Sequence, residues 1–321
     1  MIKRLNLKIY ANCMNRFMHT HSKTISRRNN LYQNPHLNID IKPIIFDVSL
    51  RDGLQGANPQ EYTTLKKYEI LHAIHHKFFP AKMEIGAFVS PKVLPIMSDT
   101  ANLFDLVQSQ VKDSTEIYAL VPNKVGLLNA IKSGFTNFSF ITSVSNAFQV
   151  KNTGRNLIFK KHELDEMVQY IKTLKSPIKT KLYISCINEC PVIGPVDNDF
   201  IIHEIISSYG LVDEYDELCI SDTMGTLSSR NFEYIVDGLI RFGVAPSRIS
   251  VHLHINSENE SEAKQILFAC FRRKINQFDV SVISDGGCSV TMEAEQLKPN
   301  MTYDFLYSTI EEYKLLESNL L

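Results

Sequence analysis

From residue 43 onward, strand-length runs of apolar and β-branched residues alternate with longer segments of helical period. Eight such runs stand out: Ile44 to Val48, Lys82 to Ala87, Glu116 to Val121, Asn137 to Thr142, Thr180 to Ser185, Glu217 to Ser221, Ser250 to His254 and Phe278 to Ile283. Between them the pattern predicts helices over Tyr62 to His76, Lys124 to Ser133, His162 to Leu174, Asp199 to Tyr209, Ser229 to Phe242, Glu260 to Arg272 and Tyr303 to Leu316. The punctuation agrees, since Pro122-Asn123 opens one helix, Ser133-Gly134 closes it, and Gly243 follows Phe242. Runs such as Ile44-Ile45-Phe46 and Phe138-Ser139-Phe140-Ile141 are continuous enough to be buried on both faces. A strand spacing of roughly 35 residues leaves room for one crossover helix each time. Eight parallel strands close a (β/α)₈ TIM barrel, so the expected fold is a single α/β domain. An open doubly wound sheet fits less well, because no Gly-rich dinucleotide turn follows the first strand.

An apolar content of 44% in 321 residues supports one large core, and no Pro/Gly/Ser-rich linker interrupts residues 41–321. With 34 basic against 35 acidic residues there is no global basic field, and no run of 18 apolar residues occurs. Neither nucleic acid nor a membrane is therefore expected as a partner. Residues 1–40 stand apart: Lys3, Arg4, Lys8, Arg16, Lys23, Arg27 and Arg28 precede the first acid, Asp40. Such an acid-poor leader reads as a mitochondrial transit segment or a disordered basic tail, the alternative address being cytoplasmic. Six scattered cysteines, Cys13, Cys186, Cys190, Cys219, Cys270 and Cys288, suit reduced thiols better than a disulfide framework. Cys186 and Cys190 have a loose metal-like spacing, but no second ligand pair is near, and two ordinary loop thiols are the preferred reading.

Chemistry concentrates at the downstream ends of the strands, which share one mouth in a barrel. Arg51 and Asp52 follow the first strand and precede Gly53. His252 and His254 end the seventh, two residues apart, so both side chains point the same way, into the barrel. Two inward imidazoles beside a carboxylate read as a metal site, and the absence of thiolate favours a hard ion such as Mg²⁺ or Mn²⁺. Glu84 on strand two and Asp222 at the end of strand six are expected to face the same mouth, as proton acceptors or as carboxylates orienting a histidine.

In this order and at these strand ends, the residues resemble the 3-hydroxy-3-methylglutaryl-CoA lyase family, among the metal-dependent aldolase-like barrels that include 2-isopropylmalate and homocitrate synthases. The resemblance runs from about residue 43 to 316. It is carried by Arg51-Asp52-Gly53-Leu54-Gln55, the Glu84 to Lys92 segment with its Phe88-Val89-Ser90-Pro91-Lys92, Pro122-Asn123, Ser185-Cys186 with Cys190-Pro191, Ser221 to Gly225, His252-Leu253-His254 and Gly286-Gly287-Cys288. The Phe88 to Lys92 and Cys186 to Pro191 segments resemble the lyase branch. The resemblance implies cleavage of a tertiary 3-hydroxy acyl-CoA into acetyl-CoA and acetoacetate. It implies a divalent metal on Asp52, His252 and His254, with Arg51 stabilising the enolate oxygen, Arg51 and Gln55 contacting substrate, and Cys288 donating a proton. Barrels of this kind often pair, so a homodimer is expected.

The chain departs from the family pattern at four places, one of them Gly56-Ala57-Asn58, which replaces a more polar stretch that in the family contacts substrate. Ile255-Asn256-Ser257 replaces a polar pair after His254, and Asp285 adds a negative charge beside the cysteine loop. The resemblance also implies an asparagine as fourth ligand; the family spacing falls on Leu297, and the nearest asparagine is Asn300. Two other readings stand beside the lyase: a Claisen-type condensing synthase, and a degenerate barrel that only binds metal or a CoA ester.

Overall fold

The computed structural model describes residues 41–108, 115–210, 214–283 and 298–319. Strands β1 (Ile44–Asp47), β2 (Lys82–Ala87), β3 (Glu116–Leu120), β4 (Asn137–Ser143), β5 (Lys179–Ser185), β6 (Glu217–Asp222), β7 (Ile249–Leu253) and β8 (Gln277–Val280) form one closed parallel barrel in sequential order. β1 closes on β8, with Ile44 opposite Gln277 and Asp47 opposite Val280. Around it lie α1 (Thr64–Phe78), α2 (Thr100–Val107), α3 (Lys124–Lys132), α4 (Asn146–Thr153), α5 (Leu157–Thr173), α6 (Asn198–Ile205), α7 (Ser229–Arg241), α8 (Glu260–Arg272) and α9 (Tyr303–Asn319). No helix among the described residues is long and apolar enough to cross a membrane.

Helix α7 illustrates why the outer ring forms. Ser228 caps it by accepting the Asn231 N–H, and Phe232, Ile235, Val236 and Leu239 recur at helical spacing on its buried face. These residues, with strand residues such as Leu218, Ile220 and Val251, build the apolar layer between barrel and helices. Each such fully buried side chain contributes about 1.5–3 kcal/mol relative to exposure.

All eight expected strands are present. β7 and β8 end earlier than their apolar runs, because the chain leaves the sheet where other partners take its amides. Ser281 N donates to Met301 O, and Val282 N to Ser49 Oγ at 2.9 Å. Helices α2 and α4 have no counterpart among the helices the pattern predicts; α4 buries only Phe148 and Gln149, too few positions to write a period. Helix α5 starts at Leu157, ahead of His162, since Asn156 accepts the Phe159 N–H and sets the cap there. Helix α6 passes into one π turn over Ile206–Gly210.

The barrel interior is unusual in its polarity. By the two-residue alternation of strands, Lys181, Tyr183 and Ser185 of β5 face inward, as do Glu217, Cys219 and Ser221 of β6, His252 of β7, and Gln277 and Asp279 of β8. Only part of the lumen, around Phe46, Val48 and Tyr118, is an apolar cluster.

The turn after β1 carries Arg51 and Asp52 to the mouth. Arg51 N and Gly53 N both donate to Val48 O, at 3.2 and 3.0 Å. Gly53 is required by close approach: a Cβ there would lie 2.6 Å from Ser49 O and 2.7 Å from Ser281 Oγ. Gly53→Ala should therefore lower the free energy of unfolding by about 1–3 kcal/mol through overpacking, read from the urea midpoint. An unchanged midpoint would mean that the turn has slack the contacts do not suggest.

Candidate metal centre

Four side chains from three parts of the chain meet at the barrel mouth. Asp52 arrives on the turn after β1, His252 on β7, and His254 just beyond it, in an antiparallel bridge with Asn300. All four residues are buried. Asp52, His252 and His254 each place a possible ligand atom within 4.8 Å of the others.

The hydrogen bonds fix which atoms face inward. His252 Nδ1 lies 3.1 Å from Asp279 Oδ2, and His254 Nδ1 lies 2.8 Å from the Lys298 carbonyl oxygen. A carboxylate and a carbonyl only accept, so both Nδ1 atoms donate, and each ring turns its Nε2 toward the other. Those two Nε2 atoms are 3.2 Å apart, with Asp52 Oδ2 at 3.7 Å from that of His252. Two lone pairs so placed repel unless a cation or proton lies between them. Their separation is close to the roughly 3 Å edge of an octahedron with bonds of about 2.1 Å. Asp52 Oδ2 and both polar side-chain atoms of Asn300 are buried with no well-formed hydrogen bond among the described residues. Orphaned acceptors converging in this way fit a divalent cation.

Electrostatics agree with that fit. Burial would raise the Asp52 carboxyl, but Arg51 and then the two histidines hold it well below the usual carboxylate range. Burial, and next His252, push His254 down to about 4, so it is neutral and free to ligate at neutral pH. Arg51 is bound by Glu84 Oε2 through Nε and by Asp52 Oδ1 through one terminal nitrogen, and its guanidinium lies 5.0 Å from the centre of the Tyr183 ring. Burial opposes its charge, yet Glu84 and Asp52 keep it firmly protonated. Tyr183 Oη donates to Glu84 Oε2 at 3.4 Å, while Glu84 Oε1 has no partner among the described residues.

Above this floor opens a cavity of about 470 Å³. Arg51, Asp52, Gln55, His252 and His254 line its base, and Val89, Leu94, Leu120 and Phe148 form apolar walls. Asn123 reaches the wall while capping α3, its Oδ1 accepting from Gly126 N at 2.8 Å.

One expectation needs correction. Asp222 does not face the mouth, because it has the opposite parity to the inward Glu217, Cys219 and Ser221 on β6. Its oxygens accept the amides of Thr226 and Leu227, each at 3.1 Å, and so brace the loop after the strand. The carboxylate that meets a histidine is Asp279, which sequence reasoning misses, together with Lys181 and Tyr183. A signal exists for all three: polar residues at alternate positions of otherwise apolar strands. Cys288, Asp285 and Leu297 lie outside the described residues. Cys186 and Cys190 join no group of possible metal ligands among the described residues.

A family profile described as HMGL-like matches residues 42–258. The mitochondrial hydroxymethylglutaryl-CoA lyase of Arabidopsis thaliana is 25% identical over 76% of this chain, which spans half of that protein's length. The 3-hydroxy-3-isohexenylglutaryl-CoA/hydroxy-methylglutaryl-CoA lyase of Pseudomonas aeruginosa is 25% identical over 78% of this chain and 80% of its own. Among solved structures, hydroxymethylglutaryl-CoA lyase from Pseudomonas aeruginosa superposes with a TM-score of 0.73 at 23% identity, covering 86% of this chain and 88% of that one. An HMG-CoA lyase from Acinetobacter baumannii, in complex with coenzyme A and 3-methylmalate, gives 0.71 at 20% identity over 84% and 83%.

The loop brace at Asp222 has a pH signature. Burial pushes its carboxyl up to about 6 from 3.8, against the opposing pull of the Leu227 and Thr226 amides. A raised folded-state pKa stabilises the fold fully below the unfolded value and is lost as pH rises through the folded one. Relative to Asp222→Asn, the wild type should thus lose about 2 kcal/mol of unfolding free energy between pH 4 and pH 7. Urea titrations at both pH values read this, and a constant difference would show that the carboxyl is not raised.

Proposed function

The chain belongs to the HMGL-like family, and from that premise we propose that it is a divalent-metal-dependent carbon–carbon lyase acting on a 3-hydroxy acyl-CoA, with 3-hydroxy-3-methylglutaryl-CoA as substrate. The observation that carries this reading is the convergence of two Nε2 lone pairs and the orphaned oxygens of Asp52 and Asn300 beside a permanently charged Arg51. The names of the relatives support the cleavage direction over condensation, and the coenzyme A in the Acinetobacter complex supports a thioester substrate.

Asp52, His252, His254 and Asn300 would hold the ion, which when bound supplies positive charge that lowers the pKa of the substrate's tertiary hydroxyl. Cleavage takes the hydroxyl proton, turns that carbon into the ketone of acetoacetate, and breaks the bond to the neighbouring carbon. The bonding pair passes to the enolate of acetyl-CoA. Arg51 meets the charge appearing on the thioester oxygen, already fixed by Glu84 and Asp52, so little reorganisation accompanies the step. Glu84, which sits behind Arg51 with Oε2 bound to it and Oε1 unpartnered among the described residues, is our acceptor for the hydroxyl proton. Protonation of the enolate carbon completes the reaction, a role we give to Cys288. Gln55 at the base of the cavity contacts the substrate.

With Mg²⁺ or Mn²⁺, the purified protein should release acetoacetate and acetyl-CoA from 3-hydroxy-3-methylglutaryl-CoA. Arg51→Gln should lower kcat by ~100- to 1,000-fold while still binding metal, as loss of one preorganised charge-stabilising donor does. No acetyl-CoA from any 3-hydroxy acyl-CoA by the metal-loaded wild type would reject the lyase. The acid-free stretch before Asp40 and the mitochondrial relative in Arabidopsis support a mitochondrial address. Residues 1–40 fused to a fluorescent protein should then mark mitochondria, and a diffuse cytosolic signal would overturn that assignment.

A further inference from the structure

A chain of four charged side chains runs up the barrel lumen and ends on a ring of the candidate metal centre. Lys82 Nζ lies 2.7 Å from Glu217 Oε2, and Glu217 Oε1 lies 2.8 Å from Lys181 Nζ. Lys181 Nζ also binds Asp279 Oδ1, and Asp279 Oδ2 accepts from His252 Nδ1 at 3.1 Å. Lys181, Glu217 and Asp279 are almost completely excluded from solvent, Lys181 with none of its side chain exposed. Two cations and two anions leave the chain neutral as a whole.

Such an arrangement is an expensive filling for a barrel that branched apolar residues usually occupy. Desolvating ions often costs more than their attraction returns, and well-packed apolar replacements are commonly as stable. The place where this chain ends gives it a use. We propose that Lys181 is a positioning residue for the metal centre: by holding Asp279 Oδ1 it keeps Oδ2 as the fixed acceptor for His252 Nδ1–H, which locks the ring with Nε2 turned toward Asp52 and His254. The inference rests on the metal-dependent reading of that site and deepens it by naming what orients one ligand.

A buried lysine in a barrel also invites a second assignment, as the amine that forms a Schiff base with a carbonyl substrate. The geometry argues against it. The Lys181 ammonium sits 3.8 Å from the Phe46 ring centre and 4.7 Å from that of Tyr183, and two carboxylates keep it protonated. Its charge is committed to Asp279 and Glu217.

The test uses the full chain and three variants: Lys181→Met, Lys181→Arg, and the double variant Lys181→Met/Asp279→Leu. Mn²⁺ affinity is read by calorimetry, the fold by urea unfolding, and the His252 tautomer in metal-free protein by ¹⁵N spectra of labelled histidine. Lys181→Met should weaken Mn²⁺ binding by about 10- to 100-fold, the usual effect of removing a group that orients a ligand. Lys181→Arg, which restores the ion pair, should recover most of the affinity. The double variant leaves no acceptor and no unpaired lysine, so it should unfold near the wild-type urea midpoint yet bind Mn²⁺ at least about 10-fold more weakly. Its ¹⁵N spectrum should lose the Nδ1-protonated His252 seen in the wild type. Wild-type affinity in the double variant, or an unchanged tautomer, would overturn the positioning role. If the wild type itself takes up no Mn²⁺, the metal reading fails separately, and the tautomer measurement still judges the Lys181–Asp279 contact to His252.

Discussion

Closure of the sheet by β1 on β8 is the constraint on which the rest of the molecule depends. Once Ile44 to Asp47 pair in parallel with Gln277 to Val280, the turn after β1 and the ends of β7 and β8 share one rim. Asp52 and His252 then come within 3.7 Å although 200 positions separate them in the chain. A closed barrel also fixes parity: each strand sends alternate residues into the lumen, so every inward position has a definite neighbour on the next strand. The Asp279 to His252 contact and the Lys181 to Glu217 contact are both between inward residues of strands that lie side by side in the barrel.

The two faces of the strands do opposite work. Outward residues such as Leu218, Ile220 and Val251 bury against helices and supply the cohesion. Inward residues carry charge, and that charge is tolerated because it is paired. Lys181 faces two carboxylates, Arg51 faces Glu84 and Asp52, and Lys82 faces Glu217 and Gln277. Satisfied polar networks of this kind rigidify what they touch. Among the buried polar atoms left without a well-formed partner are Asp52 Oδ2 and Asn300 Oδ1, beside the two histidines, and Glu84 Oε1, whose other oxygen holds Arg51.

The centre of the site is legible in the sequence and its support is not, for a physical reason. His252 and His254 stand out because two imidazoles two residues apart on a strand point into one lumen, where a pair of polar rings packs poorly without an ion to bind. Arg51-Asp52 stands out because it interrupts an apolar run at a strand end. Asp279 and Lys181 belong to a polar alternation inside their strands that marks them as inward, but nothing local says that each will find a partner of opposite charge on another strand. Asp222 shows the converse. It sits at a strand end like the residues of the candidate centre, but one step out of phase, and its oxygens go to loop amides.

Written in the chain is the eight-fold alternation of strand and helix, and with it a barrel whose candidate functional residues lie at the downstream strand ends. Period-two and helical patterns are local properties, written in consecutive residues, so they can be read without knowing the fold. Which carboxylate meets which histidine, why Gly53 admits no side chain, and how Glu84, Asp222 and Asp279 are partnered follow from packing across the barrel. Those outcomes depend on strand parity and on register across the closed sheet, and register is a property of pairs of strands that no single segment contains.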